Sequence, residues 1–166
     1  MPRLFVAVRP PPTIMQLIAA LPRPGQPGVR YTPREQWHVT LRFFAEAEFD
    51  EVDRALGGLM FEEGEAVMGP AVQKLGQRVV AIPVSGLDAI AEAVNEATSG
   101  IGSPPDDRPF RGHITVARLK RRGSCAVVGR AITGRFRVAR LTLVRSVLGS
   151  AGARHEDLME YPSRPG

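Results

Sequence analysis

Cysteine is nearly absent from this 166-residue chain, where Cys125 stands alone. A single thiol excludes an intrachain disulfide and any multi-cysteine zinc or iron–sulfur site. Long apolar runs are missing too: the longest falls far short of the ~18–20 residues that cross a bilayer. The apolar stretch Leu4–Val8 is too short for a signal peptide, and Arg9-Pro10-Pro11-Pro12 interrupts it. No Gly-X-Y period points to collagen, and no Pro/Ser linker of real length divides the chain. A soluble, cytoplasmic, monomeric protein with no membrane partner is the expectation.

Hydrophobic residues make up 43% of the chain, which excludes a disordered polymer and suffices for one core. Lysine is almost unused, only Lys74 and Lys120, so arginine carries the positive charge. That charge is uneven. Residues 1–101 hold 9 Lys/Arg against 12 Asp/Glu, whereas residues 102–166 hold 13 against 5. A basic half concentrates anions and raises the expectation of a phosphate-bearing partner; a solvated, arginine-rich surface is the plainer account.

The pattern alternates strands and helices. Leu4–Val8 reads as a strand stopped by prolines. Thr13 with Gln16 reads as a capping box for a helix with Ile14, Leu17, Ile18 and Leu21 on one face. Residues 22–28, rich in Pro and Gly, read as a loop, and Trp37–Phe44 as a strand. Asp50 is expected to cap a second helix, with Val52, Leu56 and Leu59 inward. Val67–Leu75 and Val79–Val84 read as a hairpin around Gly76-Gln77. Ser85 and Asp88 suggest a capping box for a third helix with Ile90, Ala93, Val94 and Ala97 inward. His113–Leu119, a bent or split Phe136–Leu148, and Glu156–Tyr161 complete the strands. The expectation is one α+β domain over residues 1–166.

Two matching tetrapeptides carry the chemistry: His38-Val39-Thr40-Leu41 and His113-Ile114-Thr115-Val116. Side chains alternate faces along a strand, so each His shares a face with its Thr while the apolar residues turn to the core. Metal binding is a poor account, because the two imidazoles are 75 residues apart in sequence and no carboxylate or Cys motif accompanies them. Paired acid–base chemistry is the better one. Two groups with ordinary pKa near 6.5 can be held one neutral and one protonated, so that one takes a proton from water and the other protonates a leaving oxygen. Threonine hydroxyls can donate to nonbridging phosphate oxygens. A strained cyclic phosphodiester suits such a site.

These motifs resemble the signature of the 2H phosphoesterase superfamily, and within it the RNA 2′,3′-cyclic phosphodiesterases, historically called 2′-5′ RNA ligases. Arg3–Val8 resembles their first strand, Trp37–Phe44 their first motif, and Arg108–Arg118 their second. Val144-Arg145-Ser146 and Gly152-Ala153-Arg154 resemble their late strand and closing turn. The resemblance implies two pseudo-symmetric lobes, each an antiparallel sheet with helices on its outer face, and a cleft between them holding one motif from each (38–41 and 113–116). It also implies hydrolysis of RNA 2′,3′-cyclic phosphate ends to 2′-phosphomonoesters, without metal or other cofactor. Reverse 2′-5′ ligation is a further activity of the family. By the same resemblance His38 matches the proton donor, His113 the proton acceptor, Thr40 and Thr115 the phosphate-binding hydroxyls, and Arg118 an arginine near the nucleotide. The chain departs from the pattern at Gly112, usually Pro, at Phe44-Ala45, usually Leu-Gly, and at Arg154-His155, where Tyr usually follows Gly-Ala.

Supporting residues have competing readings. Strict alternation puts Arg118 on the face opposite His113, so a role at the phosphate requires a bulge. Phe5 and Phe110 are candidate base-stacking residues, core packing being the alternative, stronger for Phe5. Arg111, Arg121 and Arg122 could track an RNA backbone, or form a solvated loop. His155 reads as surface, Trp37 as packing and Cys125 as a small inert residue. Two other functions fit the motifs: a cyclic phosphodiesterase for a small nucleotide such as an ADP-ribose cyclic phosphate, and a noncatalytic RNA-end-binding module.

Overall fold

The computed structural model describes residues 3–105, 107–150 and 152–165. Among the described residues, ten strands form one antiparallel sheet, and three α-helices pack on it. In chain order these are β1 (Arg3–Val8), α1 (Pro12–Ala19), β2 (Val29–Tyr31), β3 (Val39–Phe44), α2 (Phe49–Gly57), β4 (Gly64–Met68), β5 (Gln73–Leu75), β6 (Val79–Ser85), α3 (Asp88–Ala97), β7 (His113–Leu119), β8 (Gly134–Val138), β9 (Arg140–Gly149) and β10 (Gly152–Pro162). The strand order is β10-β9-β1-β3-β7-β6-β4-β8, with β2 beside β7 and β5 beside β6. The fold class is the expected α+β.

A pseudo-twofold relates β1-α1-β3 to β6-α3-β7, in each case a strand, a helix, and an antiparallel neighbour that carries a His-x-Thr motif. The halves meet at one residue pair, Val39 opposite Ile114. Helix α1 packs on β8, α3 on β3, and α2 on β10 and on α3. The core between helices and sheet includes Leu4, Val6, Ile14, Ile18, Val52, Leu56, Ile90, Val94 and Ile114. On the far face of β1, Phe5 and Ala7 form a small separate cluster with Val144.

Several local expectations are corrected. Helix α1 begins at Pro12 with Pro11 as its N-cap, so no Thr13–Gln16 box forms; proline at the first helical position supplies the start signal instead. Leu17 is exposed. Neither α2 nor α3 has a side-chain cap, which removes Asp50 and the Ser85–Asp88 pair from that role. The predicted strand over 67–75 divides at the cis Gly69–Pro70 peptide. A short strand, β2, lies beyond the Pro/Gly loop, where three residues are too few to show periodicity.

Candidate active site

The residues preceding β3 prepare the first motif. A 3₁₀ turn, Arg34–Gln36, is tied by Arg9 Nη1 donating to Glu35 O (2.9 Å) and by Gln36 Nε2 donating to Ala153 O (2.7 Å). Buried Trp37 donates its indole N–H to Thr32 O (3.1 Å), which anchors the entry to the strand. His38 Nδ1 then lies 2.6 Å from Gln36 O. His113 Nδ1 repeats the contact, 2.8 Å from Arg111 O. A carbonyl only accepts, so each Nδ1 carries the hydrogen, and each Nε2 is left for chemistry. His38 Nε2 lies 2.9 Å from Thr40 Oγ1.

Register brings the two motifs together. Val39 pairs with Ile114 with both side chains buried, so His38, Thr40, His113 and Thr115 share the opposite face. Each half also carries a bulge just after its threonine. Across β1/β3 the pairing jumps from Ala7–Thr40 to Val6–Arg42, and across β6/β7 from Ala81–Thr115 to Val80–Ala117. The extra residue reverses the alternation beyond it. Arg118 therefore returns to the face of His113, where strict alternation had excluded it, and it lines the same cleft. That cleft, about 420 Å³, is lined by His38, Thr40, His113, Thr115, Arg118 and His155, with Arg30 and Gly152 at its rim. The volume suits one nucleotide.

Two candidate contacts lie elsewhere. Phe5 is on the cleft face but only 4% exposed, stacked on His38 with centroids 4.9 Å apart, so it supports an imidazole and presents no face to a base. Phe110 lines a separate hollow against α3, beside Asp88, Glu92 and Glu96, whose carboxylates repel phosphate. Gly112 is required where it stands: a Cβ there would lie 2.3 Å from Val84 O, because β6 and β7 approach closely. Among the described residues, no group of three or more His, Cys, Asp or Glu is arranged to hold a metal ion.

His155, read from sequence as a surface residue, belongs to the site. Its register opposite Ser146 on β9 brings it to the cleft face, edge-on to Phe5 (5.1 Å) and His38 (5.5 Å). Its Nδ1 is buried without a hydrogen-bond partner. The signal for it was Gly149-Ser150-Ala151-Gly152, a turn sequence that joins β9 and β10 as a long hairpin and carries the strand back past His155; Ala151 itself lies outside the described residues.

Burial pushes the His38 imidazole down to about 4, and the positive charges of Arg9, His155 and His113 act in the same direction. Burial and Arg9 also lower His155, against the opposing pull of Asp157, which Arg9 Nη2 bonds at 2.5 Å. His38 is thus neutral near pH 7. The unfolded chain takes up that proton near pH 6.5 and the folded one only near 4. Stability is therefore full above about pH 6.5 and declines as pH falls toward 4. One ring edge opens to the solvated cleft, so we expect a loss of about 2 kcal/mol from His38, below the full value for such a shift. Urea midpoints from about pH 7.5 to about pH 4.5 should fall more steeply for the wild type than for His38→Gln; parallel curves would contradict this.

No family model matches the chain, and no curated protein sequence does. Solved structures match over nearly the whole length. Escherichia coli LigT complexed with 3′-AMP superposes with TM-score 0.79 at 23% identity, covering 99% of this chain and 100% of that one. A structure described as a phosphoesterase gives 0.80 at 22%, covering 99% of each. TT0787 of Thermus thermophilus gives 0.80 at 25%, covering 96% of this chain and 97% of that one. The structural neighbours are thus LigT and related phosphoesterases, and the curled antiparallel sheet is the fold they share.

Proposed function

We propose that this protein is a 2H phosphoesterase that hydrolyses RNA 2′,3′-cyclic phosphate ends to 2′-phosphomonoesters. The observation that carries the reading is the doubled His-x-Thr unit on one sheet face, with both Nδ1 atoms tied to backbone carbonyls and neither Nε2 atom bonded to the backbone. LigT has been solved with 3′-AMP, NADP+, ATP and phosphate, which supports a nucleotide or RNA-end ligand for the shared fold.

In the proposed step His113 Nε2 accepts a proton as water attacks phosphorus. The P–O3′ bond breaks, and His38 Nε2–H protonates the departing 3′-oxygen, leaving a 3′-hydroxyl and a 2′-phosphate. His38 must hold a proton to act as the acid. The phosphodiester anion supplies the negative charge that offsets Arg9 and draws that proton onto the ring. Thr40 and Thr115 donate to the nonbridging oxygens, and Arg118 adds positive charge on the same face. Ligation follows from the same ring opening when the 5′-hydroxyl of a second strand replaces water: a P–O5′ bond forms, the P–O3′ bond breaks, His113 takes the hydroxyl proton and His38 protonates the 3′-oxygen, leaving a 2′-5′ phosphodiester.

The deciding experiment is hydrolysis of a short RNA bearing a 2′,3′-cyclic phosphate, in excess EDTA, with the product identified as the 2′- or 3′-phosphate. Turnover to the 2′-phosphate is expected. Absence of turnover by folded protein would refute the substrate, and a 3′-phosphate product would refute the proposed bond cleavage. Thr40→Val and Thr115→Val should each lower kcat by about 10²-fold, the usual effect of removing one donor to a developing oxyanion. A change in KM alone would assign the hydroxyls to ground-state binding only.

A further inference from the structure

The positive charge of the chain is concentrated in space by the absence of acids. No Asp or Glu occurs in residues 1–34, 66–87 or 108–155. The fold brings parts of all three segments to one end of the sheet, where β2 pairs with β7, β7 with β6, and β6 with β5. Along β8, β9 and β10 the arginines of the basic half are neutralised: Arg135 pairs with Glu65, Arg137 with Glu63, Arg140 with Glu160 and Arg145 with Glu156. At this end they are not. Among the described residues Arg78, Arg118, Lys120, Arg121 and Arg122 make no ion pair; Arg122 Nε bonds only the amide oxygen of Gln77.

This cationic end adjoins the cleft. Arg118 lines the cleft, and the ladder continues one residue past β7, where Lys120 N–H donates to Gly28 O (2.9 Å). Lys120 therefore follows Arg118 on the same edge at about 7 Å, two strand residues, comparable to one step of an extended nucleotide backbone. Beyond them Lys120, Arg121, Arg122 and Ser124 wall a groove against Pro27–Val29 of about 460 Å³. The loop is braced from the other side by Lys74 Nζ donating to Gly123 O (2.6 Å).

We propose that this groove is a binding tract for the phosphodiester backbone of a single-stranded oligonucleotide, 5′ of the terminus held in the cleft. The inference rests on the proposed reaction for the identity of that terminus. The tract makes the preferred ligand an oligonucleotide over a mononucleotide. A run of unneutralised cations along one strand end and its loop fits a regular polyanion better than a folded protein surface.

The test uses fluorescence anisotropy with labelled RNAs of one, four and eight nucleotides ending in a 2′-phosphate, so binding is read without turnover. Wild-type affinity should rise with length. Lys120→Gln/Arg121→Gln should weaken the octamer about tenfold at low salt and flatten the slope of log K against log salt by about 1.4, two contacts of ~0.7 each. Arg135→Gln/Arg137→Gln removes the same charge from ion-paired positions and should leave both unchanged. Lys120→Gln alone, a milder change, should give half the slope effect if the double variant fails to fold. In activity assays the double variant should keep wild-type kcat/KM on a nucleoside 2′,3′-cyclic phosphate and lose it on the octamer. Length-independent wild-type binding, equal loss in both double variants, or equally tight and equally tract-dependent binding of phosphatidylserine vesicles would overturn the tract. Length-dependent, tract-dependent binding with no turnover of any cyclic phosphate would instead overturn the proposed reaction and leave the tract standing.

Discussion

His38→Ala and His113→Ala should each lower kcat for cyclic phosphate hydrolysis by about 10²- to 10⁴-fold, the range for loss of a positioned general acid or base. The two losses should not multiply, because the proposed step uses both groups in one transfer, and the double variant should resemble the more damaged single one. Both variants should bind a 2′-phosphorylated RNA within a few-fold of wild type, since Thr40, Thr115 and Arg118 remain on the cleft face. Because each Nδ1 is tied to a carbonyl, glutamine should not rescue either position. Truncating His38 also uncovers Phe5, so folding must be checked by thermal melt. Activity retained within tenfold in either variant would refute the two-histidine mechanism. Equal loss of binding and turnover would point to anion binding as the shared role of the two rings.

Arg42→Ala should destabilise the fold by about 3 kcal/mol, more than ordinary surface changes, through a network that ties β3 to the end of α3. Arg42 is 4% exposed. Its Nη1 donates to Thr98 O (2.6 Å) and Thr98 Oγ1 (2.5 Å), and its Nη2 donates to Ile101 O (2.9 Å) and Ser103 O (3.2 Å). The guanidinium also lies over the Phe44 ring at 4.6 Å. Those carbonyls belong to the end of α3 and the segment after it, where a helix leaves acceptors without intrahelical partners. Removing the guanidinium strands them in a buried setting and opens a void. Arg42→Lys should recover only part of the loss, because one ammonium cannot reproduce a planar fork aimed at several acceptors. Guanidinium-chloride unfolding at constant m-value reads the effect, and a loss below about 1 kcal/mol for Arg42→Ala would show that water replaces the network.

Residues that act through local alternation were legible in the sequence. His38 and Thr40, like His113 and Thr115, are two apart on strands, and period 2 alone puts each pair on one face. The bulges were not legible, because a bulge depends on the register between two strands distant in sequence. The bulge on β7 moved Arg118 from the excluded face into the cleft, and its twin on β3 turned Arg42 inward to the end of α3. The related position in the second half is Ala117, fully buried and apolar, so the symmetry of the backbone is not a symmetry of its side chains. His155 escaped for the same kind of reason. Its place depends on a β9–β10 hairpin whose pairing brings residue 155 opposite Ser146.

By itself the sequence determined the α+β class, the main strands and helices, and the paired imidazole and hydroxyl groups, because periodicity and turn chemistry act over a few residues. The tertiary structure alone decided that the halves share one sheet through Val39 and Ile114, and that α1 packs on β8 and α3 on β3. It also decided that Phe5 serves His38, that Phe110 stands outside the cleft, and that three acid-free segments meet at one end of the sheet. Those outcomes depend on which distant strands pair and in what register, a choice made by burial of the whole core and recorded in no single stretch of chain.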